Sequence, residues 1–151
     1  MLSERIAMHA RQHGYTLIDT AIALAIAAVL AGIAVPSFDG ALRKARRADA
    51  LIAVAQIQGA QERLRSRGGR YGTLDEIGVG STSRSGHYTL QVTAFDGDGY
   101  TAVAIAAGPQ SRDTACRYMS VRAAGADLSY ASGADTAFAN AAPANRQCWS
   151  L

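Results

Sequence analysis

Five arginines, Arg63, Arg65, Arg67, Arg70 and Arg84, share one stretch of this chain with Tyr71 and Tyr88. Guanidinium groups grip phosphate oxygens and aromatic rings stack on bases, so the mixture suits a nucleic-acid partner. The competing reading is a solvated helix end, where cations also answer the helix dipole. Cys116 and Cys148 are the two cysteines. They make no CxxC pair and have no histidine cluster beside them, which argues against a zinc site. Asp96 and Asp98 alternate with Gly97 and Gly99. Calcium needs six to eight oxygens and no third carboxylate is near in sequence, so a hairpin turn explains the pair better. His9 and His13 lie close to the N-terminus, and the remaining His87 suits a surface or turn. No GxSxG, phosphate loop or HExxH occurs. The chain is therefore expected not to be an enzyme and to use no cofactor or metal.

The elements that would position these residues follow from hydropathy and spacing. The 151 residues suit one domain with one extra element. Net charge is +3, too mild to prove a nucleic-acid partner. Residues 20–38 carry no charge and form a run close to the ~20 residues that cross a bilayer. Asp19 stands at its start. The run ends at Val35-Pro36-Ser37-Phe38 without the small-residue site of an ordinary secretory signal, so the segment stays in the protein. Beyond it Leu42, Ala45, Ala48, Ile52 and Ala55, with Leu51 and Val54, recur at three- and four-residue spacing. One helix is predicted over about 16–66, its second half burying a face against a sheet and ending at Gly68-Gly69. Residues 70–86 read as a loop with a turn at 74–77. Alternation predicts a hairpin over 88–93 and 100–106, with Val103 and Ile105 on one face. A third strand fits 116–122, with Met119 and Val121 together, and a short fourth fits 128–130. Residues 131–146 read as irregular.

The segment Gly14-Tyr15-Thr16-Leu17-Ile18-Asp19, placed between a short charged leader and the apolar run, resembles the processing signal of type IV prepilins. In that family a dedicated peptidase cuts after the glycine and methylates the new N-terminus. The resemblance extends over the whole chain, with Pro36 where pilins commonly carry proline. The Arg70-Tyr71 step, the Tyr88-Thr89-Leu90 strand start, the cysteine at a third strand and the terminal Cys148-Trp149 look like small minor pilins. It implies the α+β type IV pilin fold: a leader over 1–14, a transmembrane and filament-core helix over 15–38, and a globular domain over 39–151. That domain would be an antiparallel β-meander packed on the second half of the long helix, closed by a C-terminal loop.

The same resemblance assigns cleavage to Gly14 and Tyr15, N-methylation to Tyr15, and assembly roles to Asp19 and Pro36. Asp19 would pair with an N-terminal amine, although the family usually has Glu there and Phe at the first mature position. An exported domain implies a Cys116–Cys148 disulfide, and two unpaired thiols are the alternative. The implied partners are other pilin subunits, prepilin peptidase, the inner-membrane assembly platform, membrane lipid before assembly, and DNA. The implied location is the bacterial inner membrane, with the domain in the periplasm, and then the cell-surface pilus. Pilus assembly serving adhesion, twitching motility or DNA uptake is the leading function. A DNA-uptake receptor or a type II secretion pseudopilin is the alternative. One feature opposes this topology: Arg43, Lys44, Arg46 and Arg47 follow the apolar run and outnumber the leader's Arg5 and Arg11. The positive-inside rule alone would keep them in the cytoplasm. The processing motif and the cysteine pair favour export.

Overall fold

The structure is a computed structural model that describes residues 16–95 and 98–150. The chain divides into two compact units that meet in sequence between Asp39 and Gly40. Helix α1 (Leu17–Gly68) contributes to both. Its apolar part, from Leu17 and Ile18 through Leu30 and Ile33, is exposed. It is long and apolar enough to cross a membrane. Apolar surface on this scale is stable when lipid or other apolar helices cover it. Helical backbone continues on both sides of Pro36.

In the second unit a four-stranded antiparallel meander stands with α1 around one core. Its strands are β1 (Tyr88–Phe95), β2 (Gly99–Ala106), β3 (Tyr118–Ala124) and β4 (Asp127–Gly133), in sheet order β1-β2-β3-β4. One inward row runs Leu90, Ala104, Met119, Ser132; the next runs Val92, Ala102, Val121, Tyr130. The centre of the sheet is thus floored with alanine, while Tyr88, Tyr100, Ile57 and Met119 supply most of the buried bulk. Val103 and Ile105 share one face, as expected, and it is the half-buried face opposite the core. Bulky β-branched residues look like core in sequence, but alanines at Ala102 and Ala104 leave room for the large side chains around them.

The core face of α1 also differs from the expected stripe. Ala50, Ala53, Val54, Ile57 and Ala60 are buried, whereas Ala45, Ala48, Ile52 and Ala55 are exposed. Alanine occurs on every side of this helix, so spacing alone does not choose a face. The buried face also carries Asp49 and Gln61, which a hydrophobic reading rejects.

Two short 3₁₀ turns, Gly108–Arg112 and Thr114–Cys116, link β2 to β3, so Cys116 precedes the third strand instead of lying in it. After β4 the chain forms helix α2 (Ala142–Trp149) where an irregular segment was expected. Pro143 suits its first turn, because a proline there gives up an N–H that has no helical partner. Eight residues are too few to hold a helix unaided. Tertiary contacts hold it: the Cys116–Cys148 disulfide, Trp149 Nε1 donating to Ala131 O at 3.0 Å, and Asn145 Nδ2 donating to Tyr130 O at 2.9 Å. The Tyr130 and Trp149 rings meet edge to face with centroids 4.9 Å apart.

Candidate functional site

The loop between α1 and β1 carries most of the candidate arginines, and buried polar side chains of α1 fix its course. Gln61 meets Gly72 with both ends of its amide: Nε2 donates to Gly72 O at 2.6 Å, and Gly72 N donates to Oε1 at 2.9 Å. Farther along, Asp49 accepts from Ser83 Oγ at 2.6 Å, Ser85 N at 3.1 Å and His87 N at 3.2 Å. Ser83 Oγ in turn accepts from Tyr88 N at 2.9 Å, which ties the loop to the start of β1. Burial works against ionisation of Asp49, but these hydrogen bonds outweigh it and hold its pKa below the usual carboxylate value. Val79 and Gly80 share a groove with Ala53 and Gln56, and Arg84 lies beside Arg46 and Ile52. The loop therefore runs back along one side of α1.

This track gathers arginines into two groups. Arg63 and Arg67 flank the end of α1 beside Glu76 and Ile77. Arg84 lies with Arg46 and His87 near the far end of the loop. Arg46 and Arg63 are about 25 Å apart along the helix axis at ~1.5 Å per residue. The expected single cluster is thus two patches. Arg63, Arg67, Arg84 and Arg46 have no carboxylate partner among the described residues. Arg65 and Arg70 are engaged. Arg65 Nη1 donates to Tyr71 Oη at 2.8 Å, with its guanidinium 5.2 Å from that ring's centroid. Arg70 pairs with Glu76 at 2.8 Å. The Arg70 bond and the Thr73 N–H hold Glu76 down to about 2.

Tyr71 and Tyr88 do not offer stacking surfaces. Tyr71 is 3% exposed and packs on Tyr100 with centroids 5.0 Å apart. Tyr88 is fully buried, and its hydroxyl accepts from Gln110 Nε2 at 3.1 Å. Both rings belong to the core because each hydroxyl finds a polar partner, Tyr88 in the buried Gln110 and Tyr71 at the surface in Arg65 and Glu62. Gln110 belongs to a second polar clamp that sequence reasoning missed. Arg47 grips Asp113 with Nε at 2.6 Å and Nη2 at 2.8 Å, while Nη1 donates to Gln147 O at 3.3 Å. The clamp joins α1, the β2–β3 connection and α2. The only sequence sign of these fixtures is polar side chains interrupting apolar spacing.

The family described as type IV minor pilin ComP, DNA uptake sequence receptor, matches residues 36–120. The chain belongs to this family of minor type IV pilins. The match covers the second half of α1, the arginine-bearing loop, β1, β2 and the start of β3. No curated protein matches the chain. The long N-terminal helix, antiparallel sheet and Cys116–Cys148 bridge are those of the type IV pilin fold, and the apolar helix fits a pilin anchored in a membrane by one span. The bridge joins α2 to the end of the β2–β3 connection with a Cα–Cα distance of 5.5 Å.

The residues that processing would act on, Gly14 and Tyr15, lie outside the described part of this minor pilin. Asp19 lies within it, in a capping box at the start of α1. Its Oδ2 accepts from Thr16 N at 3.0 Å and Thr16 Oγ1 at 2.7 Å, and Asp19 N donates to Thr16 Oγ1 at 3.2 Å. The side chain thus caps the first turn of α1.

Proposed function

We propose that this minor pilin is a DNA receptor carried on a type IV pilus. The observation that supports it is the family match over 36–120, which spans the whole track bearing Arg63, Arg67 and Arg84. The two patches fit phosphates along one side of a duplex, since about 25 Å spans roughly seven base pairs at ~3.4 Å each. With Tyr71 and Tyr88 buried, the surface grips backbone and does not stack on bases, so duplex is preferred over single strands. Arg65 and Arg70 position the loop end through Tyr71 and Glu76.

In this reading prepilin peptidase cuts after Gly14 and methylates Tyr15. The stem over 15–38 then leaves the inner membrane and packs with other pilin stems, which answers its exposed apolar surface. Asp19 exchanges part of its Thr16 capping for a neighbour's N-terminal amine, and Pro36 sets the bend of the stem. The domain over 39–151 faces outward. The test is Arg63→Glu with Arg67→Glu, measuring DNA uptake against pilus number. Uptake lost with pili unchanged supports the receptor reading. Uptake unchanged leaves an assembly subunit. Loss of protein export with surface pili intact points to a secretion pseudopilin.

A further inference from the structure

Arg43, Lys44, Arg46 and Arg47 follow the apolar span with no acid among residues 40–48. Cations so placed are normally retained on the cytoplasmic side. Their place on the exported side of a pilin invites a partner for them. The second unit supplies a groove of about 660 Å³ between α1 and α2, whose lining includes Lys44, Arg47, Arg146, Gln147 and Ser150. Arg47 is already committed there, to Asp113 and to the Gln147 carbonyl. Lys44 and Arg146 are exposed and have no carboxylate partner among the described residues. Asp113 is neutralised by Arg47; of the acids flanking the cations in sequence, Asp49 is turned to Ser83, Ser85 and His87, and Asp39 is exposed.

We propose that this groove holds the phosphate headgroup of an anionic phospholipid while the subunit waits in the membrane. The proposal rests on reading residues 20–38 as a membrane span. Lys44 follows Phe38 by six residues, so even a fully extended chain carries it at most about 22 Å from the end of the span. A link this short allows Lys44 to reach the headgroup layer beside the span. The Lys44 ammonium, the Arg146 guanidinium and the Ser150 hydroxyl donate to phosphodiester oxygens. Each exposed cation near an anionic surface strengthens binding about five-fold, so the two give about 25-fold. The groove and the nearer patch of the DNA track lie close along α1, but Lys44 and Arg46 point about 200° apart around the helix and line different clefts. Headgroup binding turns the exported cations from a topological liability into a tether that must be released for assembly.

The experiment uses the full chain in neutral detergent micelles, offered equal amounts of phosphatidylglycerol and phosphatidylcholine, with bound lipid read by native mass spectrometry. The parent chain is expected to retain phosphatidylglycerol at least about ten-fold over phosphatidylcholine. The variant carrying Lys44→Glu and Arg146→Glu is expected to lose that preference while the near-ultraviolet signal of Trp149 stays unchanged. Equal retention of the two lipids overturns the proposal, as does a preference that survives the double variant. Displacement by an equal concentration of inorganic phosphate makes the groove a free-anion site, and displacement by a short DNA duplex makes it part of a nucleic-acid surface. Either result overturns a headgroup site. A chain that does not enter phosphatidylcholine vesicles contradicts the span and the proposal together, without touching the Arg63 and Arg67 test.

Discussion

Replacing Asp49 with alanine tests whether one buried carboxylate shapes the arginine-bearing loop. The side chain accepts three hydrogen bonds, from Ser83 Oγ, Ser85 N and His87 N. A hydrogen bond to a charged group contributes about 1.5–3 kcal/mol. Ser85 is exposed and His87 half-buried, so their amides regain water and the loss there is discounted. Ser83 is buried and also holds Tyr88 N, so its bond counts in full. The expected cost of Asp49→Ala is about 3 kcal/mol. With a urea slope of about 1–2 kcal/mol/M, the midpoint falls by about 2 M. Amide exchange at Ser85 and His87 should quicken in the same variant, and coupling to Ser83→Ala should exceed about 0.5 kcal/mol. A midpoint within error of the parent, with exchange unchanged, would refute the anchoring role.

The same carboxylate gives an acid limb. Its folded pKa is lowered, so its contribution is present above the unfolded value of about 3.9 and is lost as pH falls through the folded value; Asp49→Asn should flatten that part of a stability–pH curve. On the alkaline side burial pushes Tyr88 and Tyr100 up to about 12, so stability should decline as pH climbs from about 10 through 12, and Tyr88→Phe should remove part of that slope. Reducing the Cys116–Cys148 bridge opens a loop of separation 32 and should cost about 3–4 kcal/mol, with α2 loosened and Trp149 emission shifted to the red. An emission spectrum unchanged by reductant would show that side-chain packing alone holds α2.

The sequence made the long helix, the hairpin, the two later strands and the cysteine bridge readable, because each rests on local spacing, a turn or an export signal. It did not make α2 readable. Residues 142–149 lack an apolar stripe, and their helix depends on the disulfide, Trp149 and Asn145, all of which meet other elements. The buried face of α1 was misplaced for a related reason. Asp49 and Gln61 look like surface residues until the loop groups that they satisfy are known. The arginines were visible as charge, but not their commitments: Arg65 to Tyr71, Arg70 to Glu76, and Arg84 apart from the rest. Side-chain pairing is a tertiary fact, and spacing in sequence does not encode it.

The central claim is that this minor pilin binds DNA through its arginine track. The most direct measurement is duplex binding by the domain over 39–151 across a salt series, with duplexes of different sequence as competitors. Three to four phosphate contacts predict a fall of log affinity with log salt of slope about −3, with duplex favoured over single strands and little difference among competitor sequences. No binding at low salt would contradict the claim and leave a subunit whose work is filament assembly.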